Sequence, residues 1–179
     1  MATNSTIFKA ELIISDMDRN YYQTHNLTLA RHPSETDERM MVRLLVFALN
    51  ADEHLTFTRG LSSEDEPDLW LKNYRDEIEL WIDLGQPDEK RIRKACGRAR
   101  EVKVYCYSSR ACDVWWTQMK NKLRRYENLE IVKICDDVSQ QLVDLTKRTM
   151  RLQCTIQDGL VWLADETQSI QVEISKCKE

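Results

Sequence analysis

Both ends of the chain show the alternation of apolar and polar residues that is typical of β-strands. At the start, residues 5–14 alternate imperfectly, residues 16–20 predict a polar turn, and residues 21–29 predict the partner strand of a hairpin. Near the other end, Gln157-Asp158-Gly159 is a hairpin turn signal between two further predicted strands, and a last strand is expected over 169–175. We therefore predict an N-terminal and a C-terminal β-hairpin.

The segment after the first hairpin changes to helical spacing. Apolar residues recur every three or four positions from about Glu35 to Leu49, and Ser34 and Asp37 are typical of a capping box at the start of such a helix. A short strand follows at 55–59 and is expected to end at Gly60. The acidic run at 64–66 then leads into a further predicted strand that starts at Pro67-Asp68, with a turn at 73–76.

Residues 78–85 alternate strictly and predict the partner of that strand. Its apolar face comprises Ile78, Leu80, Ile82 and Leu84, and its other face comprises Glu79, Trp81, Asp83 and Gly85. Pro87 suits the first position of a helix that runs to about Ala99. The remaining predicted elements are strands at 102–107 and 130–135 and helices at 111–125 and 136–147.

The order of elements from residue 35 is helix, three strands, helix, strand. This order predicts an α/β fold with a mixed central β-sheet flanked by helices, to which the two terminal hairpins are added. The chain has 179 residues, 42% of them hydrophobic, and only 3 Pro and 4 Gly. Because this length suits one core and no hinge is evident, we expect a single domain over residues 1–179.

Charge and hydropathy limit the classes of function. The net charge of −4 weighs against strong non-specific binding of nucleic acid, although a local basic groove is compatible with it. No stretch approaches the roughly 20 apolar residues of a membrane span, and residues 1–9 lack the pattern of a secretory signal. The six cysteines include no C-x-x-C pair. We therefore expect a cytoplasmic protein with no membrane contact and with reduced, structural thiols.

Two acids on the predicted hairpin are candidates for chemistry. Metal-assisted phosphodiester hydrolysis needs carboxylates that hold Mg²⁺ and a nearby Lys that orients the attacking water. Asp68 starts one strand, and Asp83 lies near the end of its partner, so both are candidate Mg²⁺ ligands. Gly85 stands two positions after Asp83, where a Lys would share its face of the strand.

The missing cation has three candidate replacements. We favour Lys94 on the following helix over Lys90 and Lys103, because a long side chain two turns into that helix could reach back over the sheet edge. Asp83 also has a structural interpretation. A carboxylate within an apolar strand costs several kcal/mol if it has no partner, and that partner could be a metal ion or an Arg or Lys.

The sequence around these positions resembles the YaeQ family, whose fold is a variant of the PD-(D/E)XK nuclease fold. The resemblance rests on T-L-A-R-H-P-S-E-T-x-E-R-M at 28–40, F-T-R-G-L at 57–61, E-P-D-L-W-L at 66–71 and W-I-D-L-G-Q-P-D-E-K-R-I-R-K-A at 81–95. It continues with Y-S-S-R-A at 107–111, W-W at 115–116 and T-M-R-L-Q-C-T-I-Q-D-G at 149–159, and so covers nearly the whole chain.

The resemblance implies a variant of the nuclease motif with a displaced Lys. Under that interpretation Asp68 and Asp83 hold Mg²⁺, Lys94 orients water, and Glu38, where the fold often places an extra acid, supports the site. One hypothesis is therefore a Mg²⁺-dependent phosphodiesterase. The alternative is a catalytically weak or inactive module on the same fold that binds nucleic acid or another partner.

Basic residues near the predicted site are candidates for binding nucleic acid. They are Arg59, Lys90, Arg91, Arg98 and Arg110. Such a group is more often a solvated helix face than a phosphate track, but its clustering in an acidic protein favours a local positive stripe. Trp115 and Trp116 could stack on bases, although adjacent helical Trp residues more often place one ring in the core and one at its edge.

Overall fold

A computed structural model describes residues 4–59 and 65–178. Two positions named in the sequence analysis lie outside the described residues. They are Gly60, where a strand is expected to end, and Glu64 of the acidic run. Along the chain the elements are β1 (Thr6–Asp16), β2 (Tyr21–Arg31), α1 (Asp37–Leu49), β3 (Leu55–Phe57), β4 (Leu69–Lys72), β5 (Ile78–Leu84), α2 (Glu89–Arg98), β6 (Ala99–Cys106), α3 (Ser109–Leu123), β7 (Leu129–Ile134), α4 (Asp136–Val143), β8 (Thr149–Gln157), β9 (Leu160–Ala164), β10 (Ser169–Val172) and β11 (Ile174–Lys178).

The chain divides into two compact units, each built on its own sheet. The first unit comprises the chain up to Leu49 together with Asp137–Glu173, and its sheet has the order β10-β9-β8-β1-β2. Strands β1 and β8 are parallel, and the other neighbours are antiparallel. The helix of this unit is α1, in which every residue from Met40 to Ala48 is buried.

The second unit comprises Asn50–Asp136 and the chain from Ile174, and its sheet has the order β11-β7-β6-β5-β4-β3. Strands β3, β4 and β5 form an antiparallel meander, and β5, β6 and β7 are parallel. The helices α2 and α3 pack their apolar faces on this sheet around Trp81, Ile92 and Trp115. The predicted α/β class, the mixed sheet and the helix-strand order are confirmed, as are the two hairpins β1–β2 and β8–β9.

The arrangement of the strands has two features that the sequence did not predict. The terminal hairpins together form the first unit's own sheet, since β1 pairs with β8. The single strand expected over 169–175 is divided between β10 in the first sheet and β11 in the second.

Two helix starts and one pair of thiols also differ from the prediction. Thr36, not Ser34, caps α1, because its hydroxyl accepts from the Arg39 N–H (3.1 Å) while Ser34 Oγ bonds to His32 Nδ1 (2.6 Å). Asp88, rather than Pro87, precedes the first residue of α2 and caps it. A disulfide joins Cys106 to Cys112, so the expectation of reduced thiols is wrong for this pair.

No helix among the described residues is long and apolar enough to span a membrane.

Candidate functional site: an acid pair held by Arg91

The hairpin of β4 and β5 places Asp68 opposite Asp83. Asp68 directly precedes β4, and its N–H donates to the Ile82 carbonyl oxygen at 3.0 Å, in register with the Leu69–Ile82 pair. Both carboxylates are buried, at 5% and 2% exposure. Asp68 Oδ2 accepts from the Leu84 N–H at 2.9 Å. The strand backbone therefore fixes the two acids side by side, as the sequence predicted.

Arg91 on α2 holds Asp83 with both arms of its guanidinium. Its Nε donates to Asp83 Oδ2 at 2.9 Å and its Nη2 donates to Oδ1 at 3.0 Å. The same Nη2 also donates to the Glu66 carbonyl oxygen at 2.9 Å, which ties the start of β4 to the helix. Asp88 sets this geometry, because its carboxylate caps the helix by accepting from the Arg91 N–H at 2.8 Å.

The electrostatics of Asp83 reflect its buried position. Burial raises the pKa of its carboxyl, the charge and hydrogen bonds of Arg91 oppose that rise, and the facing Asp68 carboxylate adds to it. For Arg91, burial alone would lower the pKa of the guanidinium, but the Asp83 hydrogen bonds and charge raise it. The Arg91 side chain is 29% exposed against 3% for Asp83, so the cation lies on the solvent side of the pair.

Trp81 forms the floor beside Asp83. Its indole N–H is buried without a hydrogen-bond partner among the described residues, yet it lies near enough to Asp83 to lower the pKa of that carboxyl. The guanidinium carbons of Arg91 and Arg98 lie 5.9 Å and 5.2 Å from the Trp81 ring centroid. This aromatic floor favours cations over its face.

Gly85 does not continue the strand face that carries Asp83. Strand β5 ends at Leu84, and Gly85 has a φ of +97°, in the left-handed region that disfavours other residues. The prediction that Asp83 and Gly85 project from one face is therefore wrong. A Lys at this position would be strained, which gives a backbone reason for the glycine here.

The three candidate lysines bind other groups or are exposed. Lys94 Nζ pairs with the exposed Asp65 carboxylate at 2.7 Å. Lys103 aligns with Ile82 rather than with Asp83, so it lies on the other face of the sheet, where its Nζ donates to Asn50 Oδ1 at 2.9 Å. Lys90 is exposed. The cation at the acids is Arg91, which the sequence placed among the residues for binding nucleic acid.

Three basic side chains of α2 bind groups of Asp65 and Glu66. Arg91 binds the Glu66 carbonyl, Lys94 binds the Asp65 carboxylate, and Arg98 Nη1 donates to the Asp65 carbonyl at 2.9 Å. Lys94 lowers the pKa of Asp65 through its hydrogen bond and charge. These three side chains anchor the residues that lead into Asp68.

The other residues predicted for the site differ in their exposure and contacts. Arg59 and Arg110 are exposed, and the Arg59 N–H donates to Glu66 Oε2 at 3.3 Å. Glu38 belongs to the first unit, where its Oε2 accepts from Ser139 Oγ at 3.4 Å. Trp115 is buried and Trp116 is half-buried, which matches one ring in the core and one at its edge.

The roles of Asp65 and Glu66 were absent from the sequence prediction. One signal could have identified the role of Arg91. A buried carboxylate requires a partner, and Arg91 lies in the first turn of the helix that follows Asp83, close to the end of the strand. Arg is also better suited than Lys to bind both carboxylate oxygens at once.

The donor set does not fit a resident Mg²⁺ as it stands. Among residues 4–59 and 65–178, no group of three or more His, Cys, Asp or Glu side chains is placed to hold a metal ion. Both oxygens of Asp83 already accept from Arg91. A cation at this position would have to displace the guanidinium.

Comparisons with known proteins agree with the resemblance seen in the sequence. The family model described as YaeQ protein matches residues 1–174. YaeQ proteins described as uncharacterised, from Salmonella typhi and Escherichia coli K12, are 49% and 48% identical over 175 residues, covering 98% of this chain and 97% of each relative.

Two crystal structures of YaeQ proteins share the fold. The protein from Xanthomonas axonopodis pv. citri has a TM-score of 0.94 at 50% identity, with 97% of this chain and 98% of that chain covered. The protein from Pseudomonas syringae has a TM-score of 0.93 at 35% identity, with 98% and 97% covered.

Proposed function

This chain belongs to the YaeQ family. From that premise we propose that it is a catalytically inactive module that binds nucleic-acid phosphates without cleaving them and that contains a nuclease-like pair of acids. The observation that carries this proposal is the two-armed hydrogen bond from Arg91 to Asp83. A guanidinium stays protonated at every physiological pH, so it neutralises the acid that a catalytic metal would need. Among residues 4–59 and 65–178, the candidate Lys94 and Lys103 bind other partners, at Asp65 and Asn50, instead of orienting an attacking water.

Phosphate binding is assigned to the exposed side of α2. Lys90, Arg93, Lys94 and Arg98 are all exposed on this short helix. Lys94 and Arg98 already contact Asp65, so a phosphate would compete with an exposed ion pair. Such pairs are worth little in water, which makes that competition inexpensive.

A cleavage assay tests whether the protein is catalytically inactive. The wild type and Asp68→Ala are incubated with single- and double-stranded DNA and RNA in Mg²⁺ or Mn²⁺. We expect the two proteins to give the same background. Cleavage by the wild type that Asp68→Ala abolishes would contradict the proposal.

A salt titration tests the phosphate-binding surface. Fluorescence anisotropy of labelled DNA and RNA is measured for the wild type, for Lys90→Ala/Arg93→Ala, and for Lys120→Ala/Lys122→Ala as a matched control with two exposed cations on α3. We expect the α2 variant to bind more weakly and to reduce the salt slope by about 1–2, since each lost phosphate contact contributes roughly 0.7–0.9. If the two variants have the same affinity and the same salt slope, α2 is not the phosphate-binding surface.

A second candidate is the Mg²⁺-dependent phosphodiesterase. The observation that favours it is the direct apposition of two buried carboxylates, Asp68 and Asp83, at the end of the hairpin. It requires Arg91 to leave Asp83, and the cleavage assay distinguishes it from the inactive module.

A further inference from the structure

In the part of the chain that the structure describes, the four strands at the sheet edges differ in how they are protected from pairing with another chain. Exposed edges invite pairing with another strand, and proteins usually shorten, bulge or charge them. Among the described strands, β3 has 3 residues, β10 has 4, and β11 has 5 with Lys176, Lys178 and a register shift. Strand β2 has 11 residues and pairs in unbroken register with β1 on one side.

Apart from Arg31 at its end, strand β2 lacks these protective features. Residues 21–30 contain no Pro, Lys, Arg, Asp or Glu. The strand is also accessible in the whole chain, since Tyr22, Gln23, Thr24, Asn26 and Thr28 are all exposed and Tyr22 is 52% exposed. The end of the strand is closed by Arg43, whose Nη2 donates to the Ala30 carbonyl oxygen at 3.1 Å. The stretch before Ala30 is therefore a long edge with neutral side chains.

We propose that β2 is a homodimerisation edge, on which β2 of a second copy pairs antiparallel to give a continuous ten-stranded sheet. Antiparallel pairing of two identical edges is closed by a two-fold axis, so each β2 edge is paired by the other copy and only the short β10 strands remain at the ends of the sheet. The neutrality of residues 21–30 selects this occupant. A charged edge would repel its own copy, whereas this one places neutral side chains opposite neutral ones.

The outer face of β2 provides the test positions. Thr24 and Asn26 align with Ile13 and Glu11 of β1, on the face where β2 is exposed, so substitutions there leave the buried face intact. With the two-fold axis between these residues, Thr24 of one copy faces Asn26 of the other. Like charges at both positions would then meet across the axis.

The experiment is sedimentation velocity over a wide concentration range. We compare the wild type with Thr24→Lys/Asn26→Lys, with Thr24→Glu/Asn26→Glu, and with an equimolar mixture of the two variants. The matched control is Ser169→Lys/Gln171→Lys, which adds the same charge at exposed positions of the short edge β10. Thermal melts establish that each variant is folded.

We expect a concentration-dependent dimer for the wild type and for the β10 control. Each β2 variant alone should dimerise at least about tenfold more weakly, and the mixture should recover the dimer through opposite charges. A wild type that is monomeric at every concentration would overturn the proposal, as would a dimer that the β2 variants leave unchanged. Equal weakening by the β10 control would also overturn it.

Discussion

Two buried carboxylate–arginine pairs, one in each unit, use the same geometry with different surroundings. In the first unit, Arg43 binds Glu35 with Nε and Nη2 at 2.9 Å and 2.7 Å, and the same Nη2 donates to a backbone carbonyl. Arg91 repeats this pattern on Asp83 in the second unit. The two pairs differ in the neighbouring charge. A second guanidinium, from Arg39, reaches Glu35 at 2.9 Å, whereas a second carboxylate, from Asp68, faces Asp83.

This difference separates a structural pair from a candidate functional one. Glu35 and Arg43 are almost fully enclosed, with side-chain exposures of 2% and 7%, so the pair has no access to a ligand. Arg91 is 29% exposed and covers two like charges that the strand backbone holds together. Like charges are seldom buried side by side without a reason, and such places are candidates for function.

The largest expected effect is on the enclosed pair. Arg43→Met leaves Glu35 buried with Arg39 alone and should lower the free energy of unfolding by about 3 kcal/mol or more. Urea denaturation followed by circular dichroism measures the loss. A change under about 1 kcal/mol, the value typical of an exposed ion pair, would show that Glu35 is not the buried anchor described here.

Removal of Arg91 should cost less stability. Arg91→Met loses a partly exposed guanidinium and should lower the free energy of unfolding by about 1–2 kcal/mol, since the half-open pair is partly screened by solvent. Arg93→Met, on the exposed side of the same helix, is the matched control and should change stability by less than about 0.5 kcal/mol. The comparison between the two pairs fails if Arg91→Met is as damaging as Arg43→Met.

The pH dependence of stability should report the raised pKa of Asp83. An acid whose pKa is higher in the folded state stabilises that state below its unfolded pKa of about 3.9, and this contribution is lost as the pH rises through the folded value. The free energy of unfolding of the wild type relative to Asp83→Asn should therefore fall as the pH rises above about 4. Urea melts from acidic to neutral pH measure it. A difference that rises instead would mean that Arg91 outweighs burial.

The smallest effect compares two free thiols, one in each unit. Burial raises the pKa of Cys154 to about 12 in the first unit and the pKa of Cys96 to about 11 in the second. Because the thiolate is the reactive form, both should resist a thiol reagent at pH 8 until the protein unfolds, with Cys154 the slower. Mass spectrometry of the labelled peptides measures the order. Rapid labelling of Cys154 in the native protein would contradict its buried position.

The sequence predicted local features better than long-range ones. The hairpins β1–β2 and β8–β9 follow from alternation and turn residues, such as Asp158 and Gly159, which have φ values of +52° and +77°. The separate sheet depends on the parallel pairing of β1 with β8, which no local pattern specifies. The cap of α1 was misplaced because Ser34 and Thr36 are both good caps, and the choice depends on His32 binding Ser34.

The same distinction holds at the candidate site. The apposition of Asp68 and Asp83 could be predicted because a two-stranded hairpin relates the two positions directly. The identity of the cation was missed, because it depends on where α2 begins and so on which basic residue lies in its first turn. With Asp88 as the cap, Arg91 in the first turn reaches Asp83, and Lys94 three residues later reaches Asp65 instead.

The most direct measurement of the central claim is a Mn²⁺ titration by calorimetry of the wild type, Arg91→Ala and Arg91→Ala/Asp83→Asn. If Arg91 excludes a cation from the acid pair, the wild type binds weakly, Arg91→Ala binds at least about tenfold more tightly, and the added Asp83→Asn removes the gain. Tight binding by the wild type that Arg91→Ala leaves unchanged would contradict the claim that Arg91 occupies the acid pair.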